Sequence, residues 1–369
     1  MIYLDHGATS FPKPQAVCDA VAEAMSACAN PGRGSHEAAR AGAEVLYACR
    51  EAAGELFHIN PEQVVLTMSC THGLNLAIRT LVRPGDRVVI SGFEHNAVTR
   101  PLHGLDAKIT VAGRRLFDQA DTLRAFRRAL DMGTKCAVFT NVSNVFGYIL
   151  PVEEMARECR KRGIPFILDA AQSAGAVDID FGRLGADFVA MPGHKGLLGP
   201  MGTGLLLCGR QPEPLLMGGT GSESENQIMP DFLPDRAEAG TLNVPGFAGL
   251  TAGIRLVLEN GPGAIGVREA ALTAYTAAGL EKLGYQVFRG SSQLGTVSFR
   301  GREDCQTLAD RLADRGIALR AGLHCAPLAH SSAGTLDTGT VRVSFGWNSS
   351  LEDAERFLEE IGGISRGSL

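Results

Sequence analysis

Residues 165–196 read PFILDAAQSAGAVDIDFGRLGADFVAMPGHKG. Two short apolar runs stand in this stretch, and each stops at polar residues. Pro165 to Leu168 runs into Asp169 and Gln172, and Phe188 to Met191 runs into His194 and Lys195. Near-continuous apolar runs bounded by Gly and Pro are strands buried on both faces. The pattern recurs on either side. Val64 to Thr67 precedes Thr71-His72-Gly73, Arg87 to Ser91 precedes Glu94-His95, Cys136 to Thr140 precedes Asn141 and Asn144, and Gly204 to Cys208 follows. Helical patterns fill the gaps at Gly73 to Leu81, Ala120 to Leu130 and Val152 to Arg162, and occupy Ala16 to Ala27 and Ala38 to Leu56 upstream. Alternating strands and helices predict an α/β fold built on a largely parallel sheet covered on both faces. The direction of the strand at Gly204 stays open.

A chain of 369 residues has room for about two domains at roughly 150 residues each. Gly, Pro and acidic residues crowd Gln211 to Pro245, which reads as a long functional loop. A second α/β pattern follows. Its helices are Gly246 to Leu258, Ala264 to Leu283, Gln306 to Asp314 and Leu351 to Ile361; its strands are Gln286 to Phe288, Thr296 to Phe299, Ile317 to Arg320 and Thr340 to Phe345. The expected division is a large domain over 15–245 and a small C-terminal domain over 246–369 that also takes in residues 1–14.

Hydrophobic residues make up 45% and charged residues 20%, enough for a sizeable core and against wholesale disorder. Lys plus Arg total 35 against 40 Asp plus Glu, a net charge of −5 and the wrong sign for a nucleic-acid footprint. The nine cysteines contain no C-x-x-C pair, which argues against a zinc ribbon or a disulfide framework. No uncharged apolar run reaches the roughly 18 residues of a membrane helix, and Met1 to His6 carries no signal-peptide pattern. A reduced cytoplasmic protein without a metal is expected.

Open parallel sheets bind ligands beyond the carboxyl ends of their strands. Here those ends deliver an imidazole, an amide, a carboxylate and an amine. Lys195 alone among the lysines follows an apolar run within a Gly-rich turn, Pro192-Gly-His-Lys-Gly196. Desolvation there would activate the amine for Schiff-base chemistry; a surface charge is the bland alternative. Asp169 either caps a helix beginning at Ala170 or holds a protonated pyridine nitrogen, with Gln172 in reach of the ring hydroxyl. His95 is a rim histidine or a stacking group. Thr71-His72-Gly73 opens a helix at Leu74, as a plain cap or as an anion site. Cys325, in Arg320-Ala-Gly-Leu-His-Cys-Ala-Pro327, is a packing cysteine or a thiolate in an electropositive loop. Arg342 interrupts an apolar strand, where it faces outward or offers its fork to a substrate carboxylate.

Together these segments resemble the SufS-like cysteine desulfurases of the class V aminotransferase family, which are fold-type I pyridoxal 5'-phosphate (PLP) enzymes. The likeness runs nearly end to end. It includes Tyr3-Leu-Asp-His-Gly-Ala-Thr-Ser10, Arg33-Gly-Ser-His36, Cys70-Thr-His-Gly-Leu-Asn75, Glu94-His95-Asn96 and Asn141-Val-Ser-Asn-Val-Phe-Gly147. It continues through Asp169-Ala-Ala-Gln172, Gly193-His-Lys195, Glu238-Ala-Gly-Thr-Leu-Asn243, Arg320-Ala-Gly-Leu-His-Cys-Ala326 and Arg342-Val-Ser344. The resemblance implies a covalent PLP link at Lys195, Asp169 on the pyridine nitrogen, Gln172 on the ring oxygen and His95 stacked on the ring as a catalytic group. It puts Thr71, His72, Gly73 and His194 around the phosphate, with Thr241 supplied by the second subunit of a homodimer. Arg342 and Asn144 would hold the carboxylate of L-cysteine, with Arg320 at the base of the Cys325 loop. Cys325 would take the sulfur as a persulfide, release alanine and pass the sulfur to a protein acceptor.

The chain departs from the family pattern at several positions. Leu323 stands for a second His, Pro192 for Ser or Thr, His72 for Glu, Gly32 for His, and His6-Gly7 for Asn or Ser and Ala. Pro192 removes a hydroxyl from the phosphate site, and Leu323 and Gly32 change the polarity near the substrate sulfur. The alternatives are a selenocysteine lyase, another class V C–S lyase or aminotransferase, and a non-catalytic sulfur-trafficking paralogue. No dinucleotide fingerprint follows the first strand, against a nicotinamide enzyme.

Overall fold

The chain opens with β1 (Ile2–Tyr3), α1 (Gln15–Ala27) and α2 (Glu37–Phe57). Strand and helix then alternate: β2 (Val64–Thr67), α3 (Cys70–Leu81), β3 (Arg87–Ser91), α4 (Asn96–Gly104), β4 (Lys108–Ala112) and α5 (Gln119–Leu130). Next come β5 (Cys136–Thr140), α6 (Val152–Lys161), β6 (Phe166–Asp169), α7 (Phe181–Leu184), β7 (Phe188–Pro192) and β8 (Gly204–Cys208). After a long irregular stretch follow α8 (Val244–Asn260), α9 (Ala264–Lys282), β9 (Gln286–Phe288), β10 (Thr296–Arg300) and α10 (Cys305–Ala313). The chain ends with β11 (Ile317–Ala318), β12 (Arg320–Gly322), α11 (Pro327–Ala333), β13 (Thr340–Ser344) and α12 (Leu351–Arg366). This computed structural model describes residues 1–32 and 34–366. Arg33, part of the Arg33-Gly-Ser-His36 segment, lies outside the described residues.

Seven strands form one sheet in the order β2-β8-β7-β6-β5-β3-β4. β8 runs antiparallel to both neighbours, β2 and β7, and the remaining pairs are parallel. That settles the direction left open at Gly204. Every residue of β5, β6 and β7 is buried, which is why these strands read as unbroken apolar runs. β4 gave no such signal because it is an edge strand with only Ala112 buried. α4 was hidden by Pro101 within it, a residue that ordinarily breaks a helix.

The second sheet is antiparallel, in the order β12-β13-β10-β9. Val297, Phe299, Val341, Val343, Leu308 and Phe357 fill its own core. The N-terminal segment joins this unit: β1 pairs with β11 and Leu4 lies in the same core. α8 goes the other way. Phe247, Leu250, Ile254 and Val257 are buried with Leu46 and Phe57 of α2 in the core of the large sheet. The buried face of α8 thus packs into the core of the large sheet.

Candidate active site

β5, β6 and β7 lie side by side and parallel, so the segments that follow Thr140, Asp169 and Pro192 share one rim. Asp169 is 2% exposed. Its Oδ1 accepts the Ala171 N–H at 2.9 Å and lies 3.5 Å from Cys70 Sγ. Among the described residues Oδ2 takes no hydrogen bond, so one oxygen of a buried carboxylate is left for a protonated partner. Ala171 to Ser173 form turns and no helix begins at Ala170, which removes the helix-cap alternative.

Lys195 follows β7 in the turn the sequence marked. Burial, and after it the Arg342 guanidinium, push its ammonium below the ordinary lysine value; Cys70, Asp169 and Asp5 oppose them. An amine so placed sits nearer its neutral, nucleophilic form. Its backbone is tied down just upstream. The His194 carbonyl accepts from the Ser10 N–H at 3.0 Å, Thr9 Oγ1 at 3.0 Å, Ser10 Oγ at 3.1 Å and Lys13 Nζ at 2.9 Å. Burial lowers Lys13 to about 8.

The helix start beside this turn is shifted from the expected one. Ser69, not Thr71, caps α3: its backbone is extended and its Oγ accepts the His72 N–H at 3.2 Å. Thr71, His72 and Gly73 therefore lie in the first turn, with Thr71 exposed. A Cβ on Gly73 would come 3.3 Å from Ala190 Cβ, so glycine brings this turn down onto β7. His72 Nε2 and His194 Nδ1 are buried without a hydrogen-bond partner. Two unpartnered imidazole nitrogens, one of them in the first turn of a helix, suit a phosphate. Pro192, the last residue of β7, supplies no hydroxyl there.

His95 caps α4, its Nδ1 accepting the Ala97 N–H at 3.0 Å. Burial pushes its imidazolium below the ordinary value, with Lys195, Arg100 and Arg342 adding to the effect and Asp169 opposing it. Gln172 Nε2 donates to the Gly7 carbonyl at 3.0 Å. Lys195, Gln172, His6, Gly7, Glu269 and Trp347 line one cleft.

Arg342 is 2% exposed, so it does not face outward. Its NH2 donates to Asp5 Oδ1 at 2.7 Å and its NH1 to the Asn144 carbonyl at 3.1 Å, while Nε is buried with no partner. The Asn144 side chain points elsewhere: its Nδ2 donates to the His324 carbonyl at 2.7 Å. Arg320 lies half in solvent with Nε and NH2 both on Asp5 Oδ2, at 3.1 and 2.8 Å.

Cys325 is exposed, not a packing cysteine. It follows β12, which covers Arg320–Gly322 rather than ending at Arg320. His324 and Cys325 both have left-handed backbones, φ 51° and 56°, a conformation unfavourable to side chains with a Cβ. Two contacts hold this turn: Asn144 on the His324 carbonyl, and the Asn96 N–H on the Cys325 carbonyl at 2.8 Å. The thiol loop is thereby fastened to the segments after β5 and β3, beside His95. Leu323 is 38% exposed next to it.

Sequence reasoning missed Asp5, Lys13 and Arg50. Asp5 had a signal, a lone acid closing the apolar Ile-Tyr-Leu run; the other two had none. Arg50 NH1 and NH2 grip Glu238 Oε1 and Oε2 at 2.8 and 2.6 Å, and Glu238 Oε1 also accepts the Leu66 N–H at 2.6 Å. This buried pair anchors the start of Glu238-Ala-Gly-Thr241, whose Thr241 is exposed. Among the described residues, no group of three His, Cys, Asp or Glu could hold a metal, and no helix is long and apolar enough to cross a membrane.

The model of the class V aminotransferase family matches residues 2–357. A probable cysteine desulfurase of Methanothermobacter thermautotrophicus is 31% identical, across 98% of this chain and 95% of its own length. The apo structure of a cysteine desulfurase from Thermococcus onnurineus superposes with a TM-score of 0.89 at 31% identity, covering 99% of this chain and 95% of that one. The Escherichia coli cysteine desulfurase CsdA, in an S-sulfonic acid form, gives 0.86 at 25% identity over 100% and 95%.

Proposed function

The chain belongs to the class V aminotransferase family, and from that footing we propose that it is a PLP-dependent cysteine desulfurase, converting L-cysteine to L-alanine and keeping the sulfur as an enzyme persulfide. The observation that carries this is the fastening of an exposed cysteine loop, through Asn144 and Asn96, to the rim that bears Lys195, Asp169 and His95. A class V enzyme acting by simple elimination has no use for a thiol held there.

Lys195 would carry PLP, Asp169 would face its pyridine nitrogen, Gln172 its ring oxygen and His95 its ring face. Thr71, His72, Gly73 and His194 would hold its phosphate, joined by Thr241 from the second subunit of a homodimer. When bound, PLP supplies an electron sink for the bonds at the substrate's α-carbon. Everything else falls to the chain. The lowered Lys195 amine takes and returns the α-proton as a positioned general base. Arg342 receives the substrate carboxylate through its unpaired Nε, and Asn144 keeps that fork and the cysteine loop in fixed relation.

The Cys325 thiolate attacks the sulfur of L-cysteine. An S–S bond forms, the Cβ–S bond breaks, and the carbon side gains the proton that completes alanine. A thiol of a protein acceptor then takes the outer sulfur from Cys325. The nine cysteines form no disulfide among the described residues, an arrangement compatible with the cytoplasmic setting of this reading. One experiment tests the whole reading. The purified protein, loaded with PLP and given L-cysteine and a reductant, should yield alanine and sulfide in equal amounts, and borohydride should fix the cofactor on Lys195. Cofactor on another lysine, or alanine without sulfide, overturns it.

A further inference from the structure

We propose that Asp5 is a positioning residue for the substrate carboxylate, holding the Arg342 fork with its Nε unpaired and linking it to Arg320. The inference rests on Arg342 being the carboxylate site.

Arg342 is a buried cation, and its only anionic partner at ion-pair distance among the described residues is Asp5, at 2.7 Å from NH2. NH1 goes to the Asn144 carbonyl at 3.1 Å. Two of the three guanidinium nitrogens are thus committed, and the third, Nε, is buried without an acceptor. Nε is the one guanidinium nitrogen left for a carboxylate oxygen, which would share the side of the fork with NH2. Rotation out of this pose is blocked from one face. An added Cβ on Gly7 would meet Arg342 Cζ at 3.2 Å, so the Gly7 backbone lies against the guanidinium plane. Gly7 is itself pinned, its N–H donating to Ser344 Oγ at 2.8 Å.

Asp5 cannot drift either. It forms a parallel bridge with Ser344, next to the pairing of β1 with β11. Its second oxygen takes Arg320 Nε and NH2 at 3.1 and 2.8 Å. Asp5, Arg320 and Arg342 together carry one net positive charge, which matches a single carboxylate. Arg320 is half exposed and spends two nitrogens on Asp5, so its influence on the substrate passes through Asp5 and not by contact. The N-terminal segment, rather than β13 alone, then sets affinity for the carboxylate end of the substrate.

The test uses the PLP-loaded enzyme with Asp5→Asn, Arg342→Gln, Arg320→Gln and the Asp5→Asn/Arg320→Gln double variant. Two quantities are read: KM against kcat for L-cysteine, and the Kd of L-alanine by calorimetry. Asp5→Asn should raise KM and the L-alanine Kd by about tenfold or more, as loss of one partner of a buried charge pair does, with kcat within about threefold. Arg320→Gln should add nothing in the Asp5→Asn background. If Arg342→Gln weakens L-alanine but Asp5→Asn does not, the role of Asp5 is overturned while the Arg342 site stands. If Arg342→Gln leaves L-alanine binding unchanged, the carboxylate site itself is wrong. Effects of Asp5→Asn and Arg320→Gln that multiply would mean that Arg320 touches substrate directly, which overturns the bridging role. Should Asp5→Asn not fold, Asp5→Glu replaces it: the longer arm displaces the fork, so the Kd should still rise, and an unchanged Kd counts against the proposal equally.

Discussion

Cys70 Sγ lies 3.5 Å from Asp169 Oδ1, joining the first turn of α3 to the end of β6. Burial, with Asp169 beside it, pushes the Cys70 thiol well above its ordinary value, so Cys70 stays a neutral donor. With the Ala171 N–H it occupies one carboxylate oxygen and leaves the other free of a hydrogen bond among the described residues. The carboxylate is therefore held as well as buried.

Asp169→Asn keeps this shape but removes the charge that would hold a pyridine nitrogen protonated. Losing one member of a buried charge pair costs about 3–5 kcal/mol, roughly two to four decades in rate. Alanine formation from L-cysteine should fall by that much while visible absorption still reports bound PLP. Turnover within a few-fold of wild type would reduce Asp169 to a turn residue.

Glu238 carries a different expectation, because it acts through a loop. Glu238→Gln leaves Arg50 buried, 7% exposed, without its anion; the cost is again about 3–5 kcal/mol. The melting temperature of the apo protein should drop by several degrees. PLP should also leave more readily on dialysis, since Thr241 lies three residues beyond the anchor. A lower melting point with undiminished PLP retention would separate the Thr241 loop from cofactor binding.

Most of the large sheet was legible because its central strands are buried on both faces, and burial on both faces writes an uninterrupted apolar run into the sequence. β4 was not, since an edge strand has no such obligation. At the site, the residues announced by an oddity of local sequence are Lys195 in its glycine turn, Asp169 ending an apolar run and Cys325 in its loop. Asp5, Lys13 and Arg50 act by meeting partners far away in the chain, Asp5 across 337 residues to Arg342 and Arg50 across 188 to Glu238. No local spacing encodes such a pairing. The misplaced cap of α3 has the same origin in reverse: Ser69 and Thr71 are both good caps by type, and only the extended backbone at Ser69 decides between them.

Three buried histidines make the fold sensitive to acid. Burial lowers His6 to about 4, His330 to about 4 and His324 to about 2, and His324 stacks on His330. Native values below the ordinary 6.5 mean that the unfolded chain binds more protons than the native one between about pH 4 and 6.5. Stability from these groups is complete above 6.5 and is lost as pH falls toward 4, with a slope of at most about 4 kcal/mol per pH unit for three groups. Urea midpoints of the apo protein should therefore decline steeply from pH 6.5 to 5, and His330→Gln should flatten the decline. Midpoints that do not move across this range would contradict the burial of neutral imidazoles.

Cys325 gives the sharpest division between the desulfurase and a lyase of the same family. Its side chain makes no hydrogen bond among the described residues, and its loop is held by the His324 and Cys325 carbonyls rather than by sulfur. Cys325→Ala should accordingly leave the melting temperature and PLP content unchanged, since alanine meets the same left-handed backbone with no larger side chain. What it removes is the nucleophile that accepts sulfur, and loss of a covalent nucleophile can cost on the order of 10⁶-fold in turnover. Alanine production from L-cysteine should stop, and Cys325→Ser should behave alike because an alcohol is a far weaker nucleophile near neutral pH. An enzyme that releases its leaving group by elimination would instead keep most of its activity in both variants, most visibly with L-selenocysteine. Mass spectrometry of the wild type after L-cysteine alone completes the test: one added sulfur atom should map to the peptide that contains Cys325. Full alanine production by Cys325→Ala, or the sulfur on another cysteine, would transfer the chemistry away from this loop.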